Sequence, residues 1–108
     1  MSDQVGPIFF ALSDPTRRRV VERLARGEAM TATELASELP ITRQAVSKHL
    51  SALSEAGLVE TERVGRELRF ALKPRPMHDA VSWIAEIGAE WDERLAALKD
   101  HLARPQAR

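Results

Sequence analysis

Apolar residues recur along this chain at helical spacing, broken once by a stretch that alternates. Ile8, Phe9, Ala11 and Leu12 predict a short apolar helix ending near Ser13. Asp14-Pro15 restarts the chain, because an aspartate accepts from free backbone N–H groups at a helix start and proline needs no N–H partner there. Val20, Val21 and Leu24 then mark one buried face, and Gly27 stands where a residue just past a helix end is expected. Thr31-Ala32-Thr33-Glu34 reads as a capping box opening a short helix, with Leu35, Ala36 and Leu39 facing inward. Pro40-Ile41 breaks that helix. Thr42 caps the next, whose apolar positions are Val46, Leu50 and Leu53 and which ends at Gly57. Two short helices joined by a tight turn, the second amphipathic, outline a helix-turn-helix.

After Gly57 the period drops to two. Leu58 to Val64 favours strand, Gly65 supplies a turn, and Leu68 to Leu72 alternates, which predicts a β-hairpin or "wing" stopped by Pro74 and Pro76. From about Met77 to Ala103 the chain predicts a long helix. Met77, Val81, Ile84, Gly88, Trp91, Leu95, Leu98 and Leu102 follow alternating steps of four and three, the a/d seam of a coiled coil. Such a helix, roughly 39 Å long, is expected to bury part of its seam against another chain. The fold expected is mainly α with a β-hairpin wing, a winged helix-turn-helix in the order α-α-α-α-β-β-α, with a long C-terminal dimerisation helix. The DNA-binding core would span 1–75 and the dimerisation helix and tail 76–108, within one structural domain. Ile8, Phe9, Val81, Ile84, Gly88, Trp91, Leu95 and Leu98 are the expected dimerisation residues.

At 108 residues, 44% hydrophobic and 30% charged, the composition is that of one ordinary globular domain. The absence of cysteine removes disulfides, thiolate ligands and cysteine nucleophiles together. Met1 to Pro7 carries no signal-peptide pattern, and no stretch approaches the roughly 20 apolar residues of a membrane span; a cytoplasmic protein is expected. Net charge is zero, which argues mildly against a nucleic-acid partner, but the charge is unevenly placed. Basic residues number five against six acidic over 1–40, seven against four over 41–75, and four against six over 76–108.

The basic middle third coincides with the chemistry that DNA requires. With Val46, Leu50 and Leu53 buried, Gln44, Lys48 and Ser51 point almost directly away, and Arg43 and Ser47 lie on one shoulder. Arg or Lys can donate to guanine, Gln can pair with adenine, and Ser serves base or phosphate. The Thr42 cap leaves free N–H groups near a phosphate. A plain solvated helix face would use the same residues. Arg66 at the wing tip, with Arg63, Arg69, Lys73 and Arg75 around it, could enter a minor groove or hold phosphates, although charges also protect exposed strand edges. Arg63 and Arg69 either face one another across the hairpin or pair with Glu62 and Glu67. Arg17-Arg18-Arg19 reads chiefly as a solvated helix start, with Arg18 and Glu22 paired one turn apart. Thr42, Arg43, Gln44, Ser47, Lys48, Ser51, Arg66 and Arg69 are thus the candidate contacts to double-stranded DNA.

Leu12-Ser13-Asp14-Pro15-Thr16-Arg17-Arg18-Arg19, Thr33-Glu34-Leu35-Ala36, Arg43-Gln44-Ala45-Val46-Ser47-Lys48-His49-Leu50, Leu53 and Glu55-Ala56-Gly57-Leu58-Val59 together resemble the ArsR/SmtB family of winged-helix repressors over about residues 7–73. The resemblance implies a homodimer whose recognition helices enter successive major grooves of an inverted-repeat operator, repressing nearby genes. One departure concerns sensing. Metal-responsive members use a cysteine pair around the helix that here reads Glu34-Leu35-Ala36-Ser37-Glu38, and this chain has none. On the last helix Asp79, Asp92, Asp100, His78 and His101 are the candidates, but His78 and Asp79, like Asp100 and His101, are adjacent and diverge, and His78 could meet Asp100 or His101 only across an antiparallel dimer. No metal and no cofactor is expected, and whether a small-molecule effector acts is not legible. His49 reads as a half-buried packing or phosphate-facing residue. Trp91 falls on the seam; Trp83 falls off it and could pack on the winged core or on the partner's first helix.

Three functional classes compete. A dimeric transcriptional repressor leads, either effector-free or with a small-molecule site at its dimer interface. A winged-helix protein-interaction module should show apolar anchors on the outward face of residues 43–51, and none is there. An enzyme is not expected, since no nucleophile elbow, phosphate-cradling loop or metal set is present.

Overall fold

Side-chain caps open three of the helices in the computed structural model, which describes residues 5–103. Helix α1 (Gly6–Ala11) is short and apolar; α2 (Pro15–Ala25) starts at Asp14, whose carboxylate accepts the Thr16 and Arg17 N–H groups at 2.8 and 3.1 Å. The Arg17 N–H is the main reason the Asp14 carboxyl lies below its ordinary range. Gly27 follows α2 as expected, but the left-handed glycines are Gly57 and Gly65, so α2 ends without such a turn. Helix α3 (Ala32–Glu38) has its full capping box: the Thr31 hydroxyl accepts the Glu34 N–H at 3.1 Å, and the Glu34 carboxylate accepts the Thr31 N–H at 2.9 Å. The Thr42 hydroxyl accepts the Ala45 N–H to open α4 (Arg43–Glu55). At the far end of α4, Gly57 (φ +82°) donates to the Ser54 carbonyl and Leu58 to that of Leu53. That is a Schellman stop, with Leu53 and Leu58 buried together beneath it.

Three strands form one antiparallel sheet in the order β1-β3-β2: Met30–Thr31 (β1), Val59–Val64 (β2) and Glu67–Leu72 (β3). Gly65-Arg66 joins β2 to β3. Gly65 has φ +63° and Arg66 does not share the positive sign, the φ pattern of a type II′ hairpin turn. Strand β1 was not expected from the sequence; it pairs Met30 with Phe70 and Thr31 with Arg69, making β3 the central strand. The core lies where α1 to α4 close on the sheet. Ile8, Val20, Leu35, Val46, Leu50, Leu53 and Leu58 are fully buried there, each worth about 1.5–3 kcal/mol of transfer out of water.

Helix α5 (Pro74–Ala103) begins three residues before the expected Met77. Pro74 and Pro76 end the hairpin as anticipated, yet both fit the first helical turn, where backbone N–H groups have no intrahelical partner. The helix runs about 45 Å, and among its described residues only Ala80 is buried. The radius of gyration, 20.1 Å, far exceeds the roughly 13 Å of a compact chain this long. Trp83 packs back on α1, edge-to-face with Phe9 at 5.5 Å between ring centroids. Val81, Ile84, Trp91, Leu95 and Leu98 are all about half exposed. Ile8 departs from its expected place on the dimer surface. It is 2% exposed within the protomer, because α1 turns Ile8 and Ala11 into the core while Phe9 and Phe10 face outward.

Candidate nucleic-acid interface

The site is built on the face of α4 opposite its buried stripe. Val46, Leu50 and Leu53 anchor the helix in the core, which leaves Thr42, Arg43, Gln44, Ser47, Lys48 and Ser51 exposed. The wing leans over one shoulder of that face. Arg43 and Ser47 of α4, Arg63 and Arg66 of the hairpin, and Thr33 and Glu34 of α3 line a single open groove together with Glu67, Leu68 and Phe70. Gln44, Lys48 and Ser51 lie outside that groove, further round the exposed surface. Arg43, Lys48, Arg63 and Arg66 form no ion pair with any described residue. Their charge is therefore available to an anionic partner. Arg63 is not among the contacts expected from the sequence; the register explains its presence, since it faces Leu68 across the hairpin, not Arg69.

Arg69 behaves differently from the other expected contacts. It is half-buried, donating to the Ala29 carbonyl at 3.0 Å and lying 3.4 and 2.8 Å from the Glu34 and Glu67 carboxylates. Of the two arrangements open on the sequence, the pairing with Glu67 is the one Arg69 makes, and that bond is the main cause raising the Arg69 pKa. The guanidinium is thus committed inside the protomer. Two arginines of the run at the start of α2 also have partners within the protomer, while Arg18 and Arg19 stay exposed as anticipated. Arg18 donates to the Leu12 carbonyl at 2.7 Å instead of pairing with Glu22, covering an unpaired acceptor at the end of α1. Arg17 donates to His49 Nδ1 at 3.4 Å, so His49 serves the packing of α2 on α4. Arg23 bridges to Glu38 at 2.9 Å, tying α2 to α3.

Among the described residues no group of three or more histidines and carboxylates is placed to hold a metal ion, and no helix is long and apolar enough to cross a membrane.

A helix-turn-helix whose second helix shows a polar, cationic face, flanked by a basic wing, defines a winged helix-turn-helix transcriptional regulator. Residues 12–62 match the helix-turn-helix domain family. The transcriptional repressor SdpR of Bacillus subtilis is 32% identical over 77 residues, covering 71% of this chain and 84% of that protein. The solved structure of an ArsR-like transcriptional regulator from Rhodococcus sp. RHA1 is 42% identical, covers 95% of both chains and superposes with a TM-score of 0.80. A homodimeric winged helix-turn-helix DNA-binding domain from Mycobacterium bovis, a possible ArsR-family regulator, is 27% identical over 86% of this chain and 82% of its own, with a TM-score of 0.62. The chain belongs to the ArsR family of transcriptional regulators.

Proposed function

We propose that this protein is a cytoplasmic homodimeric repressor that reads an inverted-repeat operator with α4 and holds the flanking backbone with its wing. The observation that carries this reading is the shared groove, which puts Arg43 and Ser47 of α4 beside Arg63 and Arg66 of the hairpin. In this arrangement Gln44 and Lys48 meet base edges in the major groove, and Ser47 and Ser51 serve base or phosphate. The Thr42 hydroxyl accepts the Ala45 N–H and keeps its own proton to donate, so Thr42 caps the helix end that approaches a phosphate and can also bond to it. Arg43, Arg63 and Arg66 supply phosphate or minor-groove contacts. Two copies of α5, joined along Val81, Ile84, Gly88, Trp91, Leu95 and Leu98 with Phe9 at the margin, space the two readers. A homodimeric relative and a repressor relative support the same assembly and role.

Selection of binders from a randomised duplex library, with neither metal nor ligand added, tests this reading. The expected product is an inverted repeat with half-sites about one helical turn apart, and Lys48→Ala should relax preference within each half-site. No enrichment at low salt, where phosphate contacts are strongest, would defeat it.

A further inference from the structure

We propose that Arg69 is a positioning residue, which clamps the wing to the start of α3 and aims Arg66 and Arg63 without touching DNA. The inference rests on the wing being a DNA-contacting element. Strand β1 holds the hairpin through only two residue pairs, Met30 with Phe70 and Thr31 with Arg69. The second pair is the one nearer the tip. Beyond it Val64, Gly65, Arg66, Glu67 and Leu68 are all exposed, so nothing in the core braces them. A two-pair ladder alone leaves such a tip free to swing.

The Arg69 fork supplies the missing hold. Nη1 reaches the Ala29 carbonyl and Glu34 Oε1, and Nη2 reaches Glu67 Oε1. Ala29 precedes β1, Glu34 completes the capping box of α3, and Glu67 is the first residue of β3. The same Glu34 oxygen accepts the Thr31 N–H. One cation therefore joins the cap of the first helix of the helix-turn-helix to the strand that leaves the wing tip. A planar guanidinium can serve three acceptors in fixed directions, whereas a lysine ammonium is a point charge on a flexible stem.

The direct-contact and clamp roles give opposite signs for one substitution. Glu67→Gln removes a negative charge beside the DNA face. If Arg69 met phosphate directly, that change would free the arginine and tighten binding. Under the clamp, loss of the Arg69–Glu67 hold outweighs the relief of Glu67–phosphate repulsion, and operator binding weakens by roughly two- to fivefold, the scale of a partly exposed charged pair. Arg69→Lys keeps the charge but loses the fork, and should weaken binding similarly. Arg66→Ala should then cost less in the Glu67→Gln background than in the wild type. Tighter binding by Glu67→Gln together with wild-type binding by Arg69→Lys would overturn the clamp. Hydrogen exchange in the DNA-free protein separates this from the proposed function. Both variants should speed exchange of the amides at 63–68 and leave α4 unchanged, even if no operator is found; unchanged exchange at 63–68 would sink the proposal.

Discussion

Leu50 on α4 and Leu95 on α5 are the same side chain on helices with clean apolar faces, yet Leu50 is 1% exposed and Leu95 is 48% exposed. The winged core satisfies its apolar pattern within one chain. Helix α5 repeats a pattern just as regular and leaves it open from Val81 to Leu102. Periodicity thus states that a face is to be buried, not which chain buries it. The length of α5 shows why its own chain does not bury that face, because about 45 Å of helix overruns a core that meets it near Ala80.

The two regions should respond differently to damage. Leu50→Ala is expected to cost about 3 kcal/mol of unfolding free energy through lost transfer and a residual cavity. A seam substitution such as Leu95→Glu should leave that intra-chain core in place. It should instead raise the concentration of half-dissociation on the order of 100-fold, because it sets a charge in an apolar contact. Sedimentation equilibrium reads the second effect, and denaturant unfolding at two protein concentrations separates it from the first. A Leu95→Glu variant that stays dimeric at micromolar concentration would remove α5 from the interface and end the contrast.

Phe9 stands where the regions meet. Its ring packs edge-to-face on Trp83 of the same protomer, a pairing worth about 0.5–1.5 kcal/mol beyond area burial. Phe9→Ala should therefore lower stability by at least about 1 kcal/mol, the pair term, with the lost burial added to it, and alter the tryptophan fluorescence. Both changes should persist at concentrations where the protein is monomeric. Dependence on dimerisation alone would mean that Phe9 belongs to the seam and not to the joint between core and α5.

What was legible in the sequence follows the range of the interactions concerned. Asp14, Thr31, Thr42 and Gly57 act on backbone groups within a few residues of themselves, and each starts or stops a helix as its chemistry requires. Gly65 likewise turns the hairpin it was expected to turn. The misses are non-local. Strand β1 exists only because β3, some 40 residues on, offers a free edge to Met30 and Thr31. The bonds of Arg69 to Ala29 and Glu34 could not be read without knowing that both lie beside it. Ile8 and Phe9 are neighbours on a six-residue helix, too short for its period to say which of them faces the core. The α5 start was misjudged for a local reason: two prolines read as a stop also fit a helix's first turn.

The smallest expected effect is on acid stability, and it sharpens the comparison from the side of the core. Asp14 is held below its ordinary range mainly by the Arg17 backbone N–H, and Glu34 mainly by that of Thr31. A carboxyl with a depressed folded-state pKa contributes stability above its unfolded pKa and loses it as pH falls through the folded value. Unfolding free energy should thus be flat near neutrality and decline below about pH 4, the ordinary carboxylate range. Asp14→Asn and Glu34→Gln each keep a capping acceptor while abolishing the titration. Combined, they should flatten the acid limb of the denaturation profile by lowering the neutral plateau toward its acid value. Both caps lie within one protomer, so the flattening should be as large in the Leu95→Glu background. An acid limb that vanished with dimerisation would place the titrating groups across the seam of α5 instead.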